Sequence, residues 1–145
     1  MIGTAAVEDP ELVLRIAKHG HRVAVGVDGK DGYVATRGWK VTTDLKVADL
    51  LKRLETSGAE VGIVTEIKRD GTMEGSDLEG LTQILGNVNI PLIASGGVGN
   101  LDHMVEGIKE GNASAVLAAS IFHYGTHSVI EAKEYLNSKG IPVRI

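Results

Sequence analysis

The chain has 145 residues, 43% of them hydrophobic, and a formal net charge of −4. That length holds one sizeable core and is too short for two ordinary domains, so residues 1–145 read as a single domain. Zero cysteines exclude disulfides, thiolate metal sites and cysteine nucleophiles, and the acidic balance argues against nucleic acid as the main partner. No apolar run approaches the roughly 20 residues of a membrane span, so no membrane contact is expected. Nothing resembles a cleavable signal peptide, and a cytoplasmic location is the expectation.

Five times along the chain a short apolar run ends in a small or acidic polar residue, and a loop and an amphipathic helix follow. The first run, Ile2–Val7, reads as a strand with Thr4 as its polar end. Asp9-Pro10 then supplies an N-cap and a first helical residue. Leu12, Val13, Ile16 and Ala17 make an apolar face, and Gly20 closes the helix. The second strand, Arg22–Asp28, leads into a long excursion from Gly29 to Trp39, within which Tyr33–Thr36 extends as a strand-like arm. A helix from about Leu45 to Ser57 turns Leu50, Leu51 and Leu54 inward and stops at Gly58.

The third strand is Glu60–Glu66, and its helix starts near Ser76-Asp77 with Leu78, Leu81 and Ile84 on one side. The fourth, Pro91–Gly97, precedes a helix capped by Asn100 that carries Leu101, Met104, Val105 and Ile108 before Gly111. The fifth, Ala113–Ser120, precedes a helix from about Ser128 that presents Val129, Ile130, Tyr135 and Leu136 and ends at Gly140. Such alternation implies a parallel sheet with right-handed crossovers. Parallel α/β proteins place their chemistry at the carboxyl ends of the strands.

The loops carry more specific information. Gly-Thr-Ala-Ala-Val at 3–7, Val-Gly-Val-Asp at 25–28, Arg-Gly-Trp at 37–39, Thr-Glu-Ile-Lys-Arg-Asp-Gly-Thr at 65–72 and Ala-Ser-Gly-Gly-Val at 94–98 stand in one order. Together they closely resemble the paired (βα)8 barrels of histidine biosynthesis. One is the phosphoribosylformimino-aminoimidazole-carboxamide ribotide isomerase, the other its sister, the cyclase subunit of imidazole glycerol phosphate synthase. Any one motif is common; five in family order are specific. The resemblance covers essentially the whole chain and only strands four to eight of the barrel. It is also mixed. Arg37-Gly38-Trp39 is isomerase-like, whereas Leu-Ala-Ala-Ser-Ile-Phe-His at 117–123 and the tail from Lys133-Glu134-Tyr135-Leu136 through Arg144 are cyclase-like, as in a chimera of the two.

The fold expected is therefore α/β, a partial (βα)8 barrel of five βα units with parallel strands. The alternative is an open, doubly wound, flavodoxin-like sheet of five strands. Five strands do not close an eight-stranded barrel, and free edges invite pairing. A homo-oligomer or a complementary barrel fragment is the expected partner.

The isomerase performs an Amadori rearrangement, an aldose–ketose isomerisation that suits two carboxyl groups on opposite sides of a pocket. By resemblance Asp28 is one of them, and its partner belongs to the family's first strand. Read alone, Asp28-Gly29 is a turn. Thr65 resembles the sixth-strand hydroxyl that contacts the reacting sugar, and its plain reading is a β-branched strand residue. Trp39 would stack on the carboxamide-imidazole, or else lie buried against the arm; Asp70 would touch substrate or order the loop around it. Two phosphates need two anion sites. Gly96 and Gly97 with Ala119 and Ser120 resemble one, edged by Gly71 and Thr72; Gly3 and Thr4 resemble half of the other.

The ligand implied is a phosphorylated sugar, or a phosphate or sulfate ion in its place, with no cofactor. His123 and His127 have metal-ligand spacing, but Tyr124-Gly125 intervenes and no carboxylate accompanies them, so no metal is expected. The function expected is the isomerisation of a bisphosphorylated aminoimidazole-carboxamide ribotide, impaired in an isolated fragment. The alternatives are the cyclase, which uses ammonia from a glutaminase partner, and a non-catalytic scaffold with residual phosphate binding.

Overall fold

A computed structural model of the protein describes residues 2–144. Where a first strand is expected, residues 4–8 instead form a short helix, α1 (Thr4–Glu8). Only Ile2 pairs, as an isolated parallel bridge to Val25. Its N–H donates to the Ala24 carbonyl and its carbonyl accepts from Gly26. The Ala5-Ala6 pair favours helix over strand, and Ala6 is buried by the turn it forms. The next helix, α2 (Glu11–Lys18), has Pro10 rather than Asp9 at its N-cap. Asp9 instead receives the Arg15 guanidinium at 2.6 Å.

The strand β1 (Val23–Lys30) runs through Asp28-Gly29 without turning, contrary to the local reading of that dipeptide. The reversal falls at Asp31 and Gly32, both at positive φ, which glycine adopts freely and Asp tolerates. The arm that follows is a hairpin of β2 (Tyr33–Thr36) and β3 (Val41–Lys46), with β2 antiparallel to the end of β1 and β3 antiparallel to β2. Only β2 was legible as a strand. The helix expected from Leu45 starts at α3 (Val47–Thr56), because the β-branched Val41-Thr42-Thr43 pairs with β2 and draws Asp44–Lys46 into the strand.

The remaining strands and long helices alternate as expected: β4 (Ala59–Glu66), α4 (Leu78–Leu85), β5 (Leu92–Ser95), α5 (Leu101–Lys109), β6 (Ala115–Leu117) and, after a short helix α6 (Ser120–His123), α7 (Val129–Ser138). Helix α6 was not expected, and it takes Ser120 from the end of the expected fifth strand. Each long helix of this series begins at a side-chain cap. Asp77 accepts from Gly80 N–H, Asn100 from His103 N–H, and Ser128 shares a reciprocal capping box with Glu131.

The sheet order is β3-β2-β1-β4-β5-β6, and β1, β4, β5 and β6 are parallel neighbours. These four parallel strands follow one another in sequence order, as in a barrel wall, whereas the parallel strands of a doubly wound sheet reverse at a switch point. Burial points the same way. Val23, Val25, Val27, Val64, Leu92 and Ala94 join Leu50, Leu51, Leu54 and Leu81 in one buried cluster. Val98, Met104, Ile121, Ala132, Leu136 and Ile141 form a second beneath α5 and α7. The intervening residues Ala24, Gly26, Val61, Ile63, Ile93 and Ala115 belong to neither cluster. Side chains alternate between faces along a strand, so the helices cover one face and leave the other open. Burying a leucine contributes about 2 kcal/mol, and Leu50, Leu51 and Leu54 make α3 the main clamp on the sheet. Among the described residues, no helix is long and apolar enough to cross a membrane.

Candidate functional site

Along the parallel strands β1, β4 and β5 the open face turns from apolar to polar toward the carboxyl ends. Asp28 is the register partner of Thr65, and Thr65 of Ser95, so the three side chains line up across β1, β4 and β5 on one face. Leu117, the partner of Ser95 on β6, continues the row and is 44% exposed. Ser95 was not singled out as a site residue from the sequence. Its place in the row follows from strand register, which the sequence does not print.

Trp39 comes to this row from the hairpin. Its indole Nε1 donates to Asp28 Oδ2 at 3.0 Å, and the residue stays 47% exposed instead of packing under the arm. Arg37, Gly38 and Trp39 all have positive φ, so the hairpin tip is held in a conformation that costs free energy at the two non-glycine positions. Arg37 ties the same tip to α1: its N–H reaches Thr4 Oγ1 at 3.4 Å and its guanidinium reaches Glu8 at 3.3 Å. Gly3 and Thr4 therefore lie beside β1 at the start of α1, not at the end of a full strand.

A second group of expected site residues meets at the neighbouring strand ends. Asp70, Gly71, Gly96, Gly97, Ala119 and Ser120 line one small depression with Met73, Val98, Leu117 and Ala118. Gly96 and Gly97 both have positive φ, and the space a side chain would need is taken by backbone. A Cβ on Gly97 would overlap the Gly75 carbonyl, and one on Gly96 would press on the Glu66 carbonyl. Gly75 N–H also donates to the Gly97 carbonyl at 2.8 Å, so the loops after β4 and β5 interlock. Thr72 stands apart from that lining. Its hydroxyl donates to the Arg69 carbonyl and accepts from Glu74 N–H, which shapes the loop after β4.

A cavity of about 530 Å³ lies elsewhere, between α3 and α4 on the helix-covered side of the sheet. Asp31, Asp49, Glu66, Asp77 and Glu79 line it against a single lysine, Lys46. That excess of carboxylates repels a phosphate, so size alone does not make this cavity the site for an anionic ligand. Glu66 shows the same field: burial pushes its carboxyl above the usual carboxylate range, Asp77 and Asp31 add to the shift, and the Lys68 N–H opposes it. Lys68 itself pairs with Asp31 at 2.6 Å.

No group of three His, Asp or Glu side chains among the described residues is arranged to hold a metal ion. His123 ends α6, where its ring meets Tyr124 edge to face.

Comparison with known proteins adds to this geometry. The family model described as histidine biosynthesis protein matches residues 1–128. Three similar curated relatives are each named imidazole glycerol phosphate synthase subunit HisF: from Chlorobaculum parvum at 46% identity, Chlorobium limicola at 43% and Pelodictyon phaeoclathratiforme at 45%. Each alignment takes in 99% of this chain, and the chain spans about 60% of the length of those relatives. The isomerase-like half of the mosaic has no counterpart among these names, which are all of the cyclase type. With the family match over most of its length and a sheet built in barrel order, the chain belongs to the histidine biosynthesis protein family.

Proposed function

We propose that the chain is a cyclase-type portion of a histidine-pathway barrel, spanning strands four to eight, that binds a bisphosphorylated aminoimidazole-carboxamide ribotide at its strand ends. The observation that carries this reading is the Asp28–Thr65–Ser95 row opening beside the interlocked glycine loop at Gly96-Gly97. One phosphate would sit at that loop and at the backbone before Ser120, where positive-φ glycines permit close approach. Asp28 would transfer protons as acid and base, Thr65 and Ser95 would hold sugar hydroxyls, and Asp70 would order the phosphate loop. Gly3 and Thr4 would meet the second phosphate. The three relatives named as synthase subunits support the cyclase over the isomerase.

One observation favours the isomerase as a second reading. Trp39, in the isomerase-like loop, already lies on Asp28, where a flat ring would face a substrate imidazole. Titrating the purified chain with each of the two ribotides, and assaying turnover with ammonium salt present, separates the readings. Tighter binding and ammonia-dependent consumption of the aminoketose support the cyclase; isomerisation of the aminoaldose supports the second reading. Binding of neither overturns both.

The open sheet face and the terminal position of β6 support association with a second copy or a complementary barrel fragment. A cytoplasmic setting accords with small-molecule biosynthesis in a chain without cysteine.

A further inference from the structure

The glycine loop after β5 has a support that none of the site residues supplies. His103 sits in the first turn of α5, and its ring Nδ1 accepts a hydrogen bond from Gly99 N–H at 3.2 Å. The same ring lies along Gly75, where an added Cβ would touch it at 3.7 Å. Gly75 in turn donates to the Gly97 carbonyl, and a side chain on Gly99 would collide with Met73. One imidazole therefore bonds to the loop after β5 and lies beside the loop after β4, and it is mounted on a helix whose start is fixed by Asn100 accepting from His103 N–H at 2.9 Å.

We propose that His103 is a positioning residue for the anion loop: by accepting from Gly99 and backing Gly75, it holds the Gly96-Gly97 backbone in the shape that receives a phosphate. This rests on the anion-site reading given above. The chemistry is specific to the neutral ring carrying its proton on Nε2, since only then does Nδ1 offer a lone pair to Gly99. That tautomer forgoes a hydrogen bond from the Asn100 side-chain nitrogen, 3.2 Å from Nε2, in favour of the one from Gly99. Among the described residues Gly99 N–H has no other hydrogen-bond partner, so without the ring it turns to water and frees the segment from Gly96 to Gly99 to move. An anion cradle made of backbone N–H groups binds through their fixed convergence, and each degree of freedom regained before binding weakens it.

The test uses sulfate, which carries the same charge throughout neutral pH, titrated into the full chain by calorimetry. His103→Phe keeps a ring against Gly75 and removes the acceptor; His103→Asn places Oδ1 close to where the ring carries Nδ1 and so keeps an acceptor for Gly99 N–H. Losing one positioning hydrogen bond is expected to weaken sulfate about fivefold in the Phe variant, with the Asn variant close to wild type. A folded Phe variant that binds as wild type, or an Asn variant no better than Phe, overturns the proposal while leaving the anion site standing. Wild type that fails to bind sulfate removes the anion-site reading and this inference together. Should the Phe variant fail to fold, amide exchange in wild type decides: Gly99 N–H protected like the helix behind it supports the role, and free exchange at Gly99 overturns it.

Discussion

The indole Nε1 of Trp39 donates to Asp28 Oδ2 at 3.0 Å, so the one tryptophan of the chain reports directly on the carboxylate of the polar row. The contact is made across a hairpin tip with positive φ at Arg37, Gly38 and Trp39. Such a tip persists only while its surroundings hold it, here Thr4, Glu8 and Asp28. Asp28→Ala removes one of those holds. The expected result is a red shift of Trp39 emission as the ring turns to water, without loss of the fold. Emission identical to wild type would mean that Asp28 does not seat the indole.

Two glycines separate backbone strain from packing. Gly71 and Gly97 both have positive φ, but nothing lies within 4 Å of a Cβ built on Gly71, whereas Gly97 would meet the Gly75 carbonyl. Gly71→Ala is expected to cost about 1 kcal/mol, the strain of a left-handed alanine alone. Gly97→Ala adds a clash with backbone that cannot step aside, and about 3 kcal/mol is expected. Urea denaturation of the two variants checks the order. Equal losses would show that the loops after β4 and β5 are not interlocked as described.

What the sequence made legible follows from which signals are local. The caps at Asp77, Asn100 and Ser128 could be read because an N-cap is a side chain bonding to backbone a few residues away. The core face of α3 could be read from Leu50, Leu51 and Leu54 by helical spacing. The strand Val41–Lys46 could not, because its stability comes from pairing with β2, from Thr36 against Val41 out to Tyr33 against Lys46. Ile2–Val7 misled for the opposite reason: an apolar run reads as a strand, but the alanines within it fold as helix once only Ile2 finds a strand to pair with. Asp28 and Thr65 stood out as polar ends of apolar runs, while Ser95's alignment with them and the 530 Å³ cavity depend on register and helix spacing.

Glu66 gives the chain a pH dependence of known sign. Its folded-state pKa is raised, by burial first and by Asp77 and Asp31 after it. The native state thus holds that proton to higher pH than the unfolded chain, and stability from this group declines as pH rises from the ordinary carboxylate value through the raised one. Glu66→Gln keeps an oxygen to accept from Lys68 N–H and cannot ionise. The variant is expected to match wild type in acid and to exceed it increasingly toward neutral pH, as read from urea midpoints across that range. Asp9 and Glu55, held low by Arg15 and Lys52, act in the reverse sense and lose their contribution as pH falls; they are common to both proteins and cancel in the difference. A difference independent of pH would show that Glu66 is not held in that acidic cavity.

The helix-free face makes the last prediction. Val61, Ile63 and Ile93 lie on it outside both buried clusters, Leu117 is 44% exposed, and β6 ends the sheet. Apolar surface beside an unpaired strand edge is stabilised by a second sheet, and in an eight-stranded barrel the opposite wall supplies it. A second copy packed against this face would cover it and set one Asp28 row toward another. Light scattering of the purified chain is expected to give more than the single-chain mass, rising with concentration. Leu117→Lys, which sets a charge on the exposed end of β6, is expected to shift the population toward the single chain with the fold unchanged. A single-chain mass at every concentration would leave the face to be covered by a different polypeptide, and copies of this one would be excluded.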